Sequence, residues 1–268
     1  MFGYASRAGV FASAGLAAAI LASTASNCSA FDPNAGVSKD SGPGVLFRFG
    51  YQAYKSGQKS DAVEAYRYAA EQGHTASQWA LAKMYASGDG VSKDDYEAFK
   101  IFSQIARAGV EPGSAEGRYF SNALTSLADY YKNGIAHSPV KPDLSIAWQL
   151  YFQAASTFGD DEAQFRLAQM ILAGEGGRDD VQQAKKWLNL ARKKGHMGAT
   201  ALFGNLIFQE GKRVRGLAFM TNALNHCSPK DCEWMSAMQE KAFSVASEDE
   251  RRGAVALASD PTFLASAQ

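Results

Sequence analysis

Small and apolar residues recur along this chain at the offsets of a single helix face, and a glycine closes each run. Ala62, Ala65, Tyr66, Ala69 and Gly73 stand at offsets 0, 3, 4, 7 and 11. Ala98, Ile101, Phe102, Ile105 and Gly109 repeat the frame, as do Ala184, Trp187, Leu188, Ala191 and Gly195. Ala147, Leu150, Tyr151 and Ala154 follow it with one residue inserted before Gly159, and Gly216, Phe219, Met220, Ala223 and Cys227 form a degenerate fifth copy. Such offsets trace one side of an α-helix. Small residues at 0 and 7 let a neighbouring helix come close, and the large residue at 4 fills the space between them. The closing glycine supplies the positive φ that ends a helix.

A second helical pattern lies between these runs. It reads Ala76, Leu81, Ala82, Tyr85 and Gly88 in one unit, Leu127, Ala128, Tyr131 and Gly134 in the next, and Ala163, Leu167, Ala168, Ile171 and Gly174 in a third. Each unit is therefore helix, glycine turn, helix, glycine turn, and the closing glycines stand 36, 50 and 36 residues apart. Self-similarity at this period predicts an all-α solenoid. A lone helix pair cannot bury its apolar face, so stacked neighbours must do so. Residues 45–227 carry the array. Beyond it, Glu233–Ala246 reads as a helix, and Ser247-Glu248-Asp249-Glu250 resembles a capping box opening another to about Ala258. These are the C-terminal capping helices a solenoid needs. Asp260, Pro261 and the tail beyond are expected to fray.

The run Leu81-Ala82-Lys83-Met84-Tyr85-Ala86-Ser87-Gly88-Asp89-Gly90-Val91, followed by Ala98 and then Ala106-Arg107-Ala108-Gly109, resembles the Sel-one-like repeat. That repeat is the longer-turned relative of the tetratricopeptide repeat. Several copies agree in phase over 45–227. The third unit departs, with a long entry loop from Val110 to about Arg118 and a long turn from Gly134 to Asp143. The first and fifth units have short, tetratricopeptide-like turns.

Residues 1–30 stand apart from the array. Arg7 precedes an alanine-rich apolar run, Ala8 to Ala22, and Cys28-Ser29-Ala30 is a small-x-small site before Phe31. This reads as a cleaved secretory signal peptide. An uncleaved anchor is the competing reading, but the run is short for a span of about 20 residues. Lipoprotein processing at Cys28 is disfavoured by the bulky polar Asn27. Residues 31–44, rich in Pro, Gly, Ser and Asn, read as a flexible leader. Of 27 basic side chains, removing Arg7 leaves 26 against 27 acidic ones. This near-neutral balance lacks the clustered cations that nucleic-acid binding uses. No other segment predicts membrane insertion once the signal is gone. Cys227 and Cys232 flank Ser228-Pro229-Lys230-Asp231, and an even pair in an exported chain favours a disulfide. A metal site there would need more ligands than His226 supplies.

Catalytic motifs are missing. The sequence holds no P-loop, dinucleotide fingerprint, nucleophile elbow or His-x-x-x-His pair, so neither enzymatic activity nor a cofactor is expected. Ser56-Gly57-Gln58-Lys59 and Ser138-Pro139-Val140-Lys141 match Ser-x-x-Lys only formally, since both lie in turns. Asp94-Asp95 and Asp160-Asp161 read as acidic helix starts rather than a catalytic dyad. Trp79 and Phe165 share a position six residues after a unit glycine, off the core stripe, with Lys83 and Gln169 one turn on. This row either lines a partner-binding groove or packs between repeats. His74 and His196 each follow a unit-ending glycine near a helix C-terminus, where a cation is favoured. They are the pH-sensing candidates, with ordinary turn histidines as the alternative.

Phe31-Asp32-Pro33-Asn34-Ala35-Gly36-Val37, Ala62-Val63-Glu64-Ala65-Tyr66-Arg67-Tyr68-Ala69-Ala70 and Cys227-Ser228-Pro229-Lys230-Asp231-Cys232 resemble the ExoR family of rhizobial exopolysaccharide regulators. The order of units, with the long loop at Gly109–Arg118, resembles it too. The resemblance implies a periplasmic protein that binds the sensing domain of a membrane histidine kinase and holds that system off. Exopolysaccharide synthesis is then repressed and motility supported, until a periplasmic protease removes the regulator. An envelope scaffold, or an adaptor binding glycan or peptide, is the alternative for a chain of this repeat type.

Overall fold

A computed structural model of the chain describes residues 37–175, 180–260 and 262–263. The expected signal peptide, leader residues 31–36, the turn residues Gly176 and Gly177, Pro261 and the tail 264–268 lie outside the described residues.

The described residues form twelve α-helices and no strand. They are α1 (Pro43–Lys55), α2 (Lys59–Glu71), α3 (Thr75–Ser87), α4 (Asp95–Ala108), α5 (Gly117–Asn133), α6 (Leu144–Thr157), α7 (Asp161–Leu172), α8 (Val181–Arg192), α9 (Met197–Gln209), α10 (Arg213–Asn225), α11 (Cys232–Ser244) and α12 (Glu248–Ala258). From α1 to α10 each odd-numbered helix pairs with the even one after it, and each pair packs on the next, giving an all-α solenoid. At the end, α11 packs on α9 and α10, and α12 packs on α10.

The acidic pairs start helices, as the charge pattern predicts. Asp94 accepts the Glu97 amide at 2.8 Å to cap α4, and Asp160 accepts the Ala163 amide at 2.8 Å to cap α7. Ser247 and Glu250 complete the capping box of α12. The core follows the repeat offsets. Ala62, Ala69, Ala98, Ala147, Ala154, Ala184 and Ala191 have no exposed surface, and Phe102, Tyr151 and Leu188 fill the space between them. Each large apolar side chain buried this way contributes about 1.5–3 kcal/mol.

The fifth pair is the tightest. A Cβ at Gly204 would lie 2.7 Å from the Gly216 carbonyl oxygen, and one at Gly216 would lie 2.6 Å from the Gly204 oxygen. The backbones of α9 and α10 therefore touch, which is why glycine stands where other copies carry alanine at offset 0.

Three boundaries differ from the sequence pattern. α1 begins at Pro43, inside the expected leader, and the Gln72 side chain donates to the Ser41 carbonyl at 3.1 Å, tying the leader's end to α2. α11 starts one residue early, at Cys232. Fraying beyond Asp260 does not extend to Phe263. Its ring is buried, with its centroid 4.8 Å from that of Phe219, because the end of the array leaves an apolar surface for it to cover.

Candidate functional site

Three odd-numbered helices, α3, α7 and α9, are tied to the preceding odd one by the residues that start them. His74, Asp160 and His196 occupy the same repeat position, and each caps its own helix while touching the preceding odd one. The His74 amide closes α2 on the Ala69 carbonyl at 3.1 Å, its Nδ1 accepts the Ser77 amide at 3.2 Å, and its ring lies 5.0 Å from Phe47 of α1. Asp160 accepts the Ser121 hydroxyl and the Asn122 amide of α5, both at 3.0 Å. His196 Nδ1 accepts the Ala199 amide at 3.0 Å, so Nε2 carries the proton and donates to Glu162 of α7, also at 3.0 Å.

This placement corrects the electrostatics expected of the two histidines. Their backbone follows a helix end, but their rings belong to the start of the next helix. There each Nδ1 uses its lone pair to accept a backbone amide. Burial lowers the His74 pKa, with the Glu116 charge offsetting only part of that.

Trp79 and Lys83 face an open aromatic cleft. Tyr51 and Tyr54 of α1, Tyr66 of α2, and Trp79, Lys83 and Met84 of α3 line a cavity of about 380 Å³. Trp79 also borders a second cavity, of about 470 Å³, reaching Tyr119 and Asn122 of α5. Tyr51 and Tyr54 are 48% and 38% exposed, a large aromatic surface to leave in water. The Trp79 and Tyr119 rings meet at 5.6 Å, and the covered Trp79 Nε1 has no acceptor among the described residues. Lys83 is exposed and forms no ion pair among the described residues.

Phe165 and Gln169 sit in different surroundings. Phe165 is buried, with His196 at 4.5 Å on one side and Trp234 of α11 at 6.5 Å on the other. It borders a polar cavity of about 260 Å³ that Gln169, Arg166, His226 and Asp231 share. Gln169 accepts a long bond from Arg166 at 3.4 Å. Asp231 accepts the Trp234 indole N–H at 3.2 Å. It belongs to the loop flanked by Cys227 and Cys232, whose sulfurs lie within disulfide distance and whose Cα atoms are 5.3 Å apart. The four residues proposed as one row thus divide. Trp79 and Lys83 lie on an open cleft, whereas Phe165 and Gln169 lie in a pocket that the capping helix narrows.

Charged groups join the two regions. Arg166 bonds Glu162 at 2.7 Å. Burial pushes the Glu162 carboxyl up, but the hydrogen bond from His196 and the nearby Arg166 charge outweigh it and hold the pKa at about 2. On α5, burial raises the Asp129 pKa, although the Tyr151 hydroxyl donates to it and Arg166 and Lys83 stand near.

Tyr51, Tyr54, Tyr119 and Trp234 were not anticipated. The two α1 tyrosines had a readable signal, aromatics three apart beside a glycine-rich stretch; Trp234 had none, since it follows the last repeat. The Ser-x-x-Lys serines are ordinary turn residues. Ser56 donates to the Ala53 carbonyl and Ser138 to that of Ile135. Among the described residues, no His, Cys, Asp and Glu cluster could hold a metal ion, and no helix is long and apolar enough to cross a membrane.

The Sel1 repeat pattern matches residues 75–110, 121–156 and 161–196. The exopolysaccharide production negative regulators of Rhizobium leguminosarum bv. viciae and Rhizobium meliloti (strain 1021) are each 65% identical over 243 residues, covering 91% of this chain and 91% of theirs. Two solved structures share the fold. A protective antigen of uropathogenic Escherichia coli with an SLR fold superposes with a TM-score of 0.66 at 23% identity, covering 84% of this chain and 46% of that one. A Sel1 repeat protein from Oxalobacter formigenes gives 0.59 at 20% identity, covering 85% and 90%.

Proposed function

Because the chain belongs to the family of exopolysaccharide production negative regulators, we propose that it represses exopolysaccharide synthesis, and supports motility, from the periplasm by binding the sensing domain of a membrane histidine kinase. The physics is a population shift. A solenoid that prefers one state of that domain stabilises it by the difference in its affinities for the two states. Removing free regulator by a periplasmic protease then switches the kinase. The open aromatic cleft on α1, α3 and α5 is the observation that carries the binding reading. Its exposed tyrosine rings, and Lys83 with no ion pair among the described residues, offer a partner apolar surface beside a positive charge. Proteolysis would begin in exposed polar segments, and the long 109–116 loop between α4 and α5 is one, with Glu111 through Glu116 exposed.

The test is a titration of the purified chain, residues 31–268, against the isolated periplasmic domain of the kinase. Saturable one-to-one binding, weakened by Lys83→Glu at unchanged helicity, supports the reading. Two folded proteins that do not bind would sink it and leave a glycan- or peptide-binding envelope adaptor, to be sought by glycan pull-down.

A further inference from the structure

The even-numbered helices α6 and α8 turn an apolar stripe away from the core. On α6, Leu144, Trp148 and Phe152 fall four residues apart on one side, and Leu144 and Phe152 are exposed. On α8, Trp187 and Leu190 stand three apart, and Leu190 is 44% exposed. The two stripes meet. The Trp148 and Phe152 rings stack at 5.0 Å, and Phe152 meets Trp187 edge-on at 6.1 Å. The buried faces of the same helices are others, Ala147, Tyr151 and Ala154 on α6 and Ala184, Leu188 and Ala191 on α8.

The charge on this surface has one sign. α6 and α8 contain no aspartate or glutamate, in a chain with 27 acidic and 27 basic side chains. Lys186 and Lys193 stand one turn to either side of Leu190. Both are exposed, and neither forms an ion pair among the described residues. Lys194 donates to the Gly159 carbonyl. The carboxylates nearest in sequence and space are engaged at the edges. Asp143 caps α6 through the Ser145 and Ile146 amides, Asp180 caps α8 through the Gln183 amide, and Glu210 pairs with Lys185. Gln149, Gln153, Gln182 and Gln183 make up exposed, uncharged surface around the stripe.

An aromatic and aliphatic stripe edged by lysines has the chemistry of a protein seated on an anionic bilayer. Tryptophan rings favour the headgroup level, exposed phenylalanine and leucine enter the acyl boundary, and lysines near the surface are drawn to anionic lipid. A second copy suits this face less well, because a two-fold pairing sets one patch against itself and would bring lysine against lysine.

We propose that the α6–α8 face docks the chain on an anionic lipid surface, with Phe152 and Leu190 entering between headgroups and Lys186 and Lys193 meeting their phosphates. The Trp79 cleft belongs to other helices, α1, α3 and α5, so this inference stands whatever that cleft binds.

The experiment is cosedimentation of the purified chain, residues 31–268, with vesicles. That stretch holds all twelve helices and omits the apolar run 8–22, whose own affinity for lipid would obscure the result. One set of vesicles is phosphatidylglycerol mixed with phosphatidylcholine, the other phosphatidylcholine alone. Binding to the first set only is expected, and salt should weaken it. Lys186→Ser combined with Lys193→Ser should weaken it about twentyfold, and Leu190→Ser severalfold. These side chains are exposed, so the variants should fold, which circular dichroism checks. Lys83→Ser removes the same charge from the cleft instead and should change little. Equal binding to both sets, binding to neither, or as large a loss from Lys83→Ser as from Lys186→Ser overturns the proposal. So does concentration-dependent dimerisation that Leu190→Ser abolishes, since the face would then belong to a second copy.

Discussion

The His196 ring joins two helices: it accepts the Ala199 amide at the start of α9 and donates to Glu162 at the start of α7, each at 3.0 Å. One side chain thus fixes a helix end and the spacing of adjacent repeats. Glu162 also holds Arg166 at 2.7 Å, so the carboxylate is worth most while ionised. Its ordinary value of 4.5 falls to about 2 in the fold. A depressed carboxylate contributes stability that is fully present above its unfolded pKa and is lost as pH falls through the folded one. Glu162→Gln should therefore lower Tm by a few degrees at neutral pH and flatten the loss between about pH 4.5 and 2. A parallel acid profile in variant and wild type would contradict the assignment. Thermal melts across that range decide it.

His74 gives the opposite kind of group the same sign. Burial lowers its pKa from an ordinary 6.5, so the unfolded chain takes up a proton first. The neutral cap stabilises fully above that ordinary value, and its contribution falls as the solution is acidified below it. Asn caps helices well without titrating. His74→Asn should keep neutral-pH stability and remove part of the decline below pH 6.5, as measured by urea midpoints against pH. An unchanged decline would place its source elsewhere.

The contact between α9 and α10 tolerates no side chain. Gly204→Ala drives a methyl toward the Gly216 carbonyl, and backbone cannot swing aside as a flexible side chain can. A loss of about 1–3 kcal/mol is expected from urea unfolding. An alanine variant as stable as wild type would show that the helices separate freely.

Phe263 is the last buried anchor of the cap, set against Phe219. Phe263→Ala should cost about 3 kcal/mol and speed amide exchange in α12 before α3. Uniform exchange across both helices would argue that the cap is not a separate unit.

Cys227 and Cys232 enclose a short loop. If oxidised, the bond is worth about 2 kcal/mol in the chain-entropy view. Neither thiol should alkylate without reductant, and reduction should lower the urea midpoint. Ready alkylation of protein purified without reductant would exclude the bond.

The repeat was legible because one face of each even helix answers to a local rule. Ala98, Ile101, Phe102 and Ile105 stand on one stripe, and all four are buried against neighbouring helices. Trp79 and Phe165 show where that rule stops. Their positions in the repeat are identical, yet one borders an open cleft and the other is buried beside Trp234. Nothing within either helix distinguishes them, since the difference comes from chains more than 60 residues away in the second case and from α1 in the first.

The amino-acid order by itself determined the helices, their caps, the stacking period and the small residues that let pairs approach, since each rests on contacts within one or two turns or on a spacing that repeats. Only the tertiary structure decided which surface stayed open. It buried Phe263 against Phe219 and left Tyr51, Tyr54 and Lys83 lining an open cleft. Those outcomes depend on what neighbouring units cover, and the coverage of a surface is a property of the whole stack.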